Sequence, residues 1–364
     1  MNIYKLLRLP LFRLEPERAH SYVLASLEWL GEQPELRDAI AGFFRYEDLR
    51  LEQELFGLKL KFRNPVGLAA GFDKDARAVK GLAVLGFGFL EVGSVSARPS
   101  EGNLRPRIFR LEKDEAIINR MGIPSEGADR VAARLAKLEG HPLPLGINLN
   151  FTTGAGVGRE EVIQDYLCSF QRLYSYADYF AINLSCPNLP EVEFDPTKPE
   201  DLKALLQSLI EERKRLGRGP KPLLIKLSPD LSETELDQVL GVAQRYIDGF
   251  IAVNTTTSRE GLRSPLAGEE GGLSGRPLRA RATEVVAEVY KKTEGRFPII
   301  GVGGIFTAED AWEKIRAGAS LVQIYTGLIY QGPGLVKRIN RGLVQLLERH
   351  GYRSIAEVIG TGVQ

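Results

Sequence analysis

A closed parallel (β/α)8 barrel, the TIM-barrel class, behind an N-terminal two-helix extension is the fold this sequence predicts. Three observations carry it. From Asn64 onward, eight short apolar runs alternate with longer helical patterns. The runs are near-continuous rather than alternating, the pattern of strands covered on both faces. A polar or glycine-bearing segment follows each run directly. An open doubly wound sheet accepts the same alternation, but eight such segments meet in one mouth only if the sheet closes.

The predicted strands cover 65–69, 89–95, 145–149, 179–184, 223–227, 249–253, 299–302 and 321–325. The segments after them read AAGFDK, GSVS, NLN, NLSCPN, KLSPD, NTTT, GVGGI and YTG. Helical patterns lie near 75–85, 125–138, 160–176, 199–217, 232–246, 277–293, 307–317 and 333–349. Ser232 and Thr307 suit N-caps, and Pro199 and Pro277 suit first-turn positions.

Residues 1–46 fall outside this rhythm and form a segment apart from the barrel domain, 47–364. Ala19, Tyr22, Val23, Leu27 and Leu30 share one helical face, widened by Leu24 and Trp29. A second helix covers 35–44. Lys5, Arg8 and Arg13 make the first residues basic. Two readings stand: helices lying on an anionic membrane surface, or helices that cap the bottom or side of the barrel.

Composition narrows the function. The 364 residues carry a net charge of +1, which offers nucleic acid no global attraction. Two cysteines and three histidines without CxxC or HxxxH spacing argue against a metal centre or a disulfide framework. No stretch approaches the ~20 apolar residues that span a bilayer, and no signal peptide is legible.

The chemistry gathers after the strands. GVGGI (301–305) and YTG (325–327) follow strands seven and eight, where barrels often hold a phosphate with backbone N–H groups. Tight turns alone would also use these glycines, but the coincidence of both loops favours phosphate. Lys226 stands inside an apolar strand end, which is costly without an anionic partner. Lys74 in AAGFDK has the same option, although a loop lysine reaches solvent easily. Asn119, Asn183, Asn188 and Asn254 offer donors and acceptors suited to an amide-rich ring. Cys186, just past strand four, has no histidine nearby in sequence, which suits proton abstraction better than acyl transfer. Cys168, in an amphipathic helix, reads as core, and GAGVG (154–158) is too weak to mark a dinucleotide loop.

NPVGLAAGFDKD, RPRIFRLEKDEAIINRMG, INLSCPN, KLSPDL, NTTT, GGLSGRPL, IIGVGGI and LVQIYTG, in this order from about Asn64 to Leu347, resemble the dihydroorotate dehydrogenases, FMN-dependent barrel enzymes of pyrimidine synthesis. ERAH and the N-terminal helices resemble the quinone-using, membrane-associated class 2. The resemblance implies flavin contacts from Ala70, Gly71, Phe72, Asp73, Lys74, Ser94, Asn148, Asn183, Lys226, Val253, Gly275, Gly304, Tyr325 and Thr326. It implies dihydroorotate or orotate contacts from Lys74, Asn119, Arg120, Met121, Gly122, Ile123, Asn183, Asn188, Asn254 and Thr255. It places a quinone near His20, Arg110 and Tyr325, and no metal anywhere.

Two departures stand out. Class 2 enzymes resemble this chain but usually carry serine at Cys186; cysteine, like the following LPEVEFDPTKPEDL, is the habit of soluble class 1. Val253 replaces a frequent threonine. The expected reaction is loss of a proton from C5 of dihydroorotate to Cys186 and of hydride from C6 to the flavin, with Lys226 stabilising the reduced ring. Quinone then takes the electrons at a peripheral site on the cytoplasmic side of the cell membrane. The alternatives are a soluble acceptor, fumarate or NAD, and, more distantly, a non-catalytic phosphate-binding barrel.

Overall fold

The computed structural model describes residues 4–57, 60–138, 140–153, 158–184 and 194–363. Eight parallel strands close on themselves. They are β1 (Val66–Leu68), β2 (Phe89–Val95), β3 (Leu145–Leu149), β4 (Tyr179–Asn183), β5 (Leu223–Leu227), β6 (Gly249–Ala252), β7 (Ile299–Val302) and β8 (Leu321–Ile324). The predicted runs match them to within one residue at either end, and β8 returns to pair with β1, Val322 beside Val66.

Ring packing inside the barrel explains two glycines. A side chain at Gly67 on β1 would strike the Phe89 ring at 2.3 Å, and one at Gly146 on β3 the Tyr179 ring at 2.0 Å. Each small residue makes room for an aromatic ring from the next strand. Below them Phe62 packs edge-on against Phe89, 5.4 Å between centroids. Phe62 belongs to a hairpin, Gln53–Leu55 with Leu60–Phe62, that closes the bottom of the barrel. The outer helices start where the sequence said: Ser232 and Thr307 accept from the amides of Glu235 and Asp310, at 3.3 and 3.2 Å, and Pro199 opens its helix. Cys168 is a correction: its position on helix Arg159–Leu173 faces solvent, not core.

Besides this hairpin, three elements were not anticipated. The extension has three helices rather than two: α1 (Tyr4–Arg13), α2 (Pro16–Gly31) and α3 (Pro34–Phe44). Pro10 inside α1 and its basic residues obscured a helix there. A separate antiparallel sheet joins Ile108–Leu111, Ala116–Asn119 and Gly272–Gly275 above the strand C-termini. A short helix, Thr326–Gln331, follows β8.

The extension is fastened to the barrel. A Cβ at Gly81, in helix Val79–Ala83, would lie 1.9 Å from the Leu27 carbonyl of α2. This backbone approach is flanked by the pairs Arg77–Glu28 at 2.5 Å and Lys80–Glu32 at 3.5 Å. Tyr4 donates to the Ile329 carbonyl at 2.7 Å and Arg8 to that of Tyr330 at 3.0 Å. The extension therefore sits beside the strand C-termini, not at the bottom, which the hairpin already closes.

Candidate active site

One cavity of about 750 Å³ opens at the C-terminal ends of the strands and continues between α1, α2 and α3. Its floor is polar. Asn254 Nδ2 donates to Asn183 Oδ1 at 3.2 Å, Asn183 Nδ2 to Ser94 Oγ at 3.1 Å, and Ser94 Oγ to Asn148 Oδ1 at 2.5 Å. Asn148 Nδ2 then donates to Glu91 Oε1 at 3.0 Å. Every bond in this chain points the same way, toward a carboxylate that only accepts. Tyr179 and Gln323 complete it, donating to Glu91 Oε2 at 3.0 and 2.8 Å. Glu91, Tyr179 and Gln323 come from β2, β4 and β8, the alternate-strand layering of a filled barrel.

Above this layer lies Lys226, buried at 5% exposure on β5. Burial pushes its ammonium pKa down, and the Glu91 carboxylate pulls it back up. Lys226 lines the open cavity above, with the Glu91 charge acting on it from below. Lys74 lies in the same cavity rather than reaching solvent; its Nζ donates to the Gly71 carbonyl at 2.7 Å. Burial lowers its pKa as well.

The glycine-bearing loops after β7 and β8 meet at the cavity. Gly303 and Gly304 after β7 have φ of +117° and +71°, and a Cβ at Gly304 would lie 2.4 Å from that of Arg279. Thr326 Oγ1 and Ser274 Oγ are 2.9 Å apart beside them. Together with Gly275 and Tyr325 these loops line one wall of the cavity.

Toward the extension the lining becomes apolar, with Leu11, Phe12, Ala19, Val23, Leu27, Leu30, Ile40 and Phe44. His20 meets the Phe72 ring edge-on at 5.1 Å, and Phe72 meets Tyr325 at 5.7 Å. Desolvation, with the nearby Lys74 charge, brings the His20 pKa down to about 4, so the imidazole is neutral near pH 7. Arg110 reaches the carbonyls of Leu11 and Leu14 and lies 4.8 Å from the Phe12 ring centroid. It thereby pins the end of α1 while lining the channel.

The structure brings together nearly all of the described residues singled out above: Ala70, Gly71, Phe72, Lys74, Ser94, Asn119, Met121, Gly122, Ile123, Asn148, Asn183, Lys226, Val253, Asn254, Thr255, Gly275, Gly304, Tyr325 and Thr326 all line this cavity, as do His20 and Arg110. Two do not. Asp73 is wholly buried and accepts from the amides of Arg77 and Ala78 at 2.8 and 2.7 Å, fixing the turn into helix Val79–Ala83. The Arg120 side chain turns to Glu269 at 2.8 Å and stacks on Phe109. Cys186 and Asn188 lie outside the described residues, as does most of GAGVG. The sequence reading missed Glu91 and Gln323, although each is a polar residue inside an apolar strand run, the same signal that marked Lys226.

The family model described as dihydroorotate dehydrogenase matches residues 50–347. The chain belongs to the dihydroorotate dehydrogenase family. It is 47% identical over 366 residues to the dihydroorotate dehydrogenase (quinone) of Acidithiobacillus ferrooxidans, covering 98% of this chain and 99% of that one. It is 46% identical over 351 residues to the enzyme of the same name from Thermus thermophilus, covering 96% and 98%. Among solved structures, ligand-free dihydroorotate dehydrogenase from Eimeria tenella superposes with a TM-score of 0.84 at 36% identity, covering 96% of this chain and 99% of that one. Among the described residues no helix is long and apolar enough to cross a membrane, and no cluster of three metal-ligating side chains occurs.

Proposed function

We propose that this dihydroorotate dehydrogenase binds FMN in the cavity, oxidises dihydroorotate there to orotate for pyrimidine synthesis, and delivers the electrons to a quinone that enters between the N-terminal helices. The observation that carries the reading is the continuity of one cavity from the Lys226 and asparagine floor to the apolar channel at His20.

The residues fit a flavin mononucleotide. Gly304 leaves no room for a side chain beside Arg279, as a backbone cradle for a phosphate requires. Gln323 lines the cavity, and its buried Oε1 has no hydrogen-bond partner among the described residues, an acceptor left over beside the ligand space. When bound, FMN supplies the two-electron acceptor for the hydride from C6. The ammonium of Lys226 stabilises negative charge that develops beside it, a contribution made without reorganisation. Asn119, Asn183 and Asn254 hold the pyrimidine edge, and Lys74 meets its carboxylate. Cys186, three positions after β4 in sequence, takes the C5 proton. A thiol is several pK units more acidic than a serine hydroxyl and needs less help as a base near neutral pH.

The same helices suit a lipid surface. Leu6, Leu9, Trp29 and Phe43 are 58%, 59%, 60% and 73% exposed, and Arg13 and Arg18 are exposed beside them. Exposed apolar side chains and cations on the same helices favour peripheral docking on an anionic leaflet, here the cytoplasmic face of the cell membrane, where quinone is dissolved. Steady-state assays with quinone, fumarate and NAD as alternative acceptors test the function. Turnover with quinone alone supports it; turnover with fumarate or NAD and none with quinone refutes the acceptor.

A further inference from the structure

Helix α2 faces the apolar channel with His20, but one turn earlier it carries a buried acid. Glu17 is 8% exposed and grips Arg107 with both oxygens. Arg107 Nη2 donates to Oε1 at 2.7 Å and Nε to Oε2 at 3.1 Å, the bidentate fork of a strong charged pair. The other arm of the same guanidinium, Nη1, donates to the carbonyls of Glu101 and Asn103 at 2.6 and 2.8 Å. A planar group that meets four acceptors at once holds the 101–107 loop in one shape.

That loop in turn supports the segment running from Asn119 to Ile123. The Arg120 amide donates to the Arg107 carbonyl at 2.9 Å, and Asn103 N donates to the Met121 carbonyl at 2.9 Å. Asn103 Nδ2 adds a bond to the Arg120 carbonyl at 3.0 Å. The two loops touch closely enough that a Cβ at Gly122 would lie 2.5 Å from the Asn103 side chain. An unbroken series of polar contacts thus runs from α2 to the cavity wall.

We infer that Glu17 is a positioning residue for dihydroorotate: through the Arg107-held loop it fixes the Asn119–Ile123 segment, so α2 serves the substrate half of the site as well as the acceptor channel. This rests on the reading of that segment as substrate-binding. Glu17→Gln keeps the volume but sets an NH2 group against guanidinium donors. In the full-length, flavin-loaded enzyme, orotate is titrated by its perturbation of the flavin spectrum, and KM is measured for dihydroorotate and for quinone. The expected result is a rise of about tenfold in orotate Kd and dihydroorotate KM, with kcat and quinone KM within about twofold, as for a loss of ~1.4 kcal/mol in substrate binding alone. Asn103→Ala, an exposed change outside α2, should give the same rise and keeps the test alive if Glu17→Gln folds poorly. Arg105→Ala removes the 72% exposed partner of Glu17 and should leave orotate Kd unchanged. Native orotate affinity in Asn103→Ala, or a change confined to quinone KM in Glu17→Gln, overturns the inference. A native enzyme with bound flavin but no response to orotate overturns instead the substrate reading on which it rests.

Discussion

Lys74 and Tyr325 converge on a single oxygen: the Gly71 carbonyl accepts from Lys74 Nζ at 2.7 Å and from the Tyr325 hydroxyl at 3.2 Å. The loop after β1 therefore holds one residue assigned to the substrate carboxylate and one in the aromatic row that leads to His20. The two donors have separable roles. Lys74→Met removes the ammonium and is expected to raise orotate Kd about 10- to 100-fold, the loss of roughly 1.5–3 kcal/mol of charged hydrogen bonding. Tyr325→Phe leaves Lys74 on the carbonyl and should alter orotate Kd by less than about threefold. Titration of both variants with orotate checks the pair.

Lys226 is the buried cation at the floor, with Glu91 beneath it. Lys226→Met should retain flavin but slow its reduction by dihydroorotate about 10²- to 10³-fold, the usual cost of removing a preorganised electrostatic group. Rapid-mixing absorbance measurements read this directly. A near-native rate would remove Lys226 from the chemistry.

His20 makes stability pH-dependent. Its pKa falls from the ordinary 6.5 to about 4 in the folded chain, so below pH 6.5 the unfolded state binds the extra proton. Folding stability from this group is therefore complete above about pH 6.5 and is lost as pH falls toward 4, by about 3 kcal/mol at most. Thermal melts of the native protein and His20→Gln between pH 4 and 7 should diverge in that window. Parallel curves would contradict the buried neutral imidazole.

Gly304→Ala places a methyl group against Arg279 at a φ of +71°. The expected cost is about 1–3 kcal/mol of stability from backbone strain. Flavin affinity should weaken further, because the cradle wall must move. Comparing melting temperatures with and without added FMN separates the two effects.

Much of this site was legible in the sequence because barrel strands have a strong signature. Runs such as LLIKL and LVQIY are too apolar for a surface, and the polar or glycine-bearing segment that follows each one marks the mouth. Residues whose roles depend on a partner distant in sequence were harder to see. Asp73 and Arg120 stand among motif residues yet serve a helix turn and an ion pair, because local spacing does not reveal which way a side chain turns. Glu17 stands in ERAH with no local partner to mark its role; only folding brings it to Arg107, ninety positions away. Cys168 followed the apolar stripe of its helix in sequence but falls at the solvent edge of that stripe. Helix α1 was hidden by Pro10 and its scattered charges, although Tyr4 and Arg8 anchor it against helix Thr326–Gln331.

The most direct test is the visible spectrum of the purified, FMN-reconstituted protein under anaerobic conditions. The expected result is a yellow protein that bleaches when dihydroorotate is added and regains its colour when a quinone follows. A protein that takes up no flavin, or whose flavin stays oxidised with excess dihydroorotate, would contradict it.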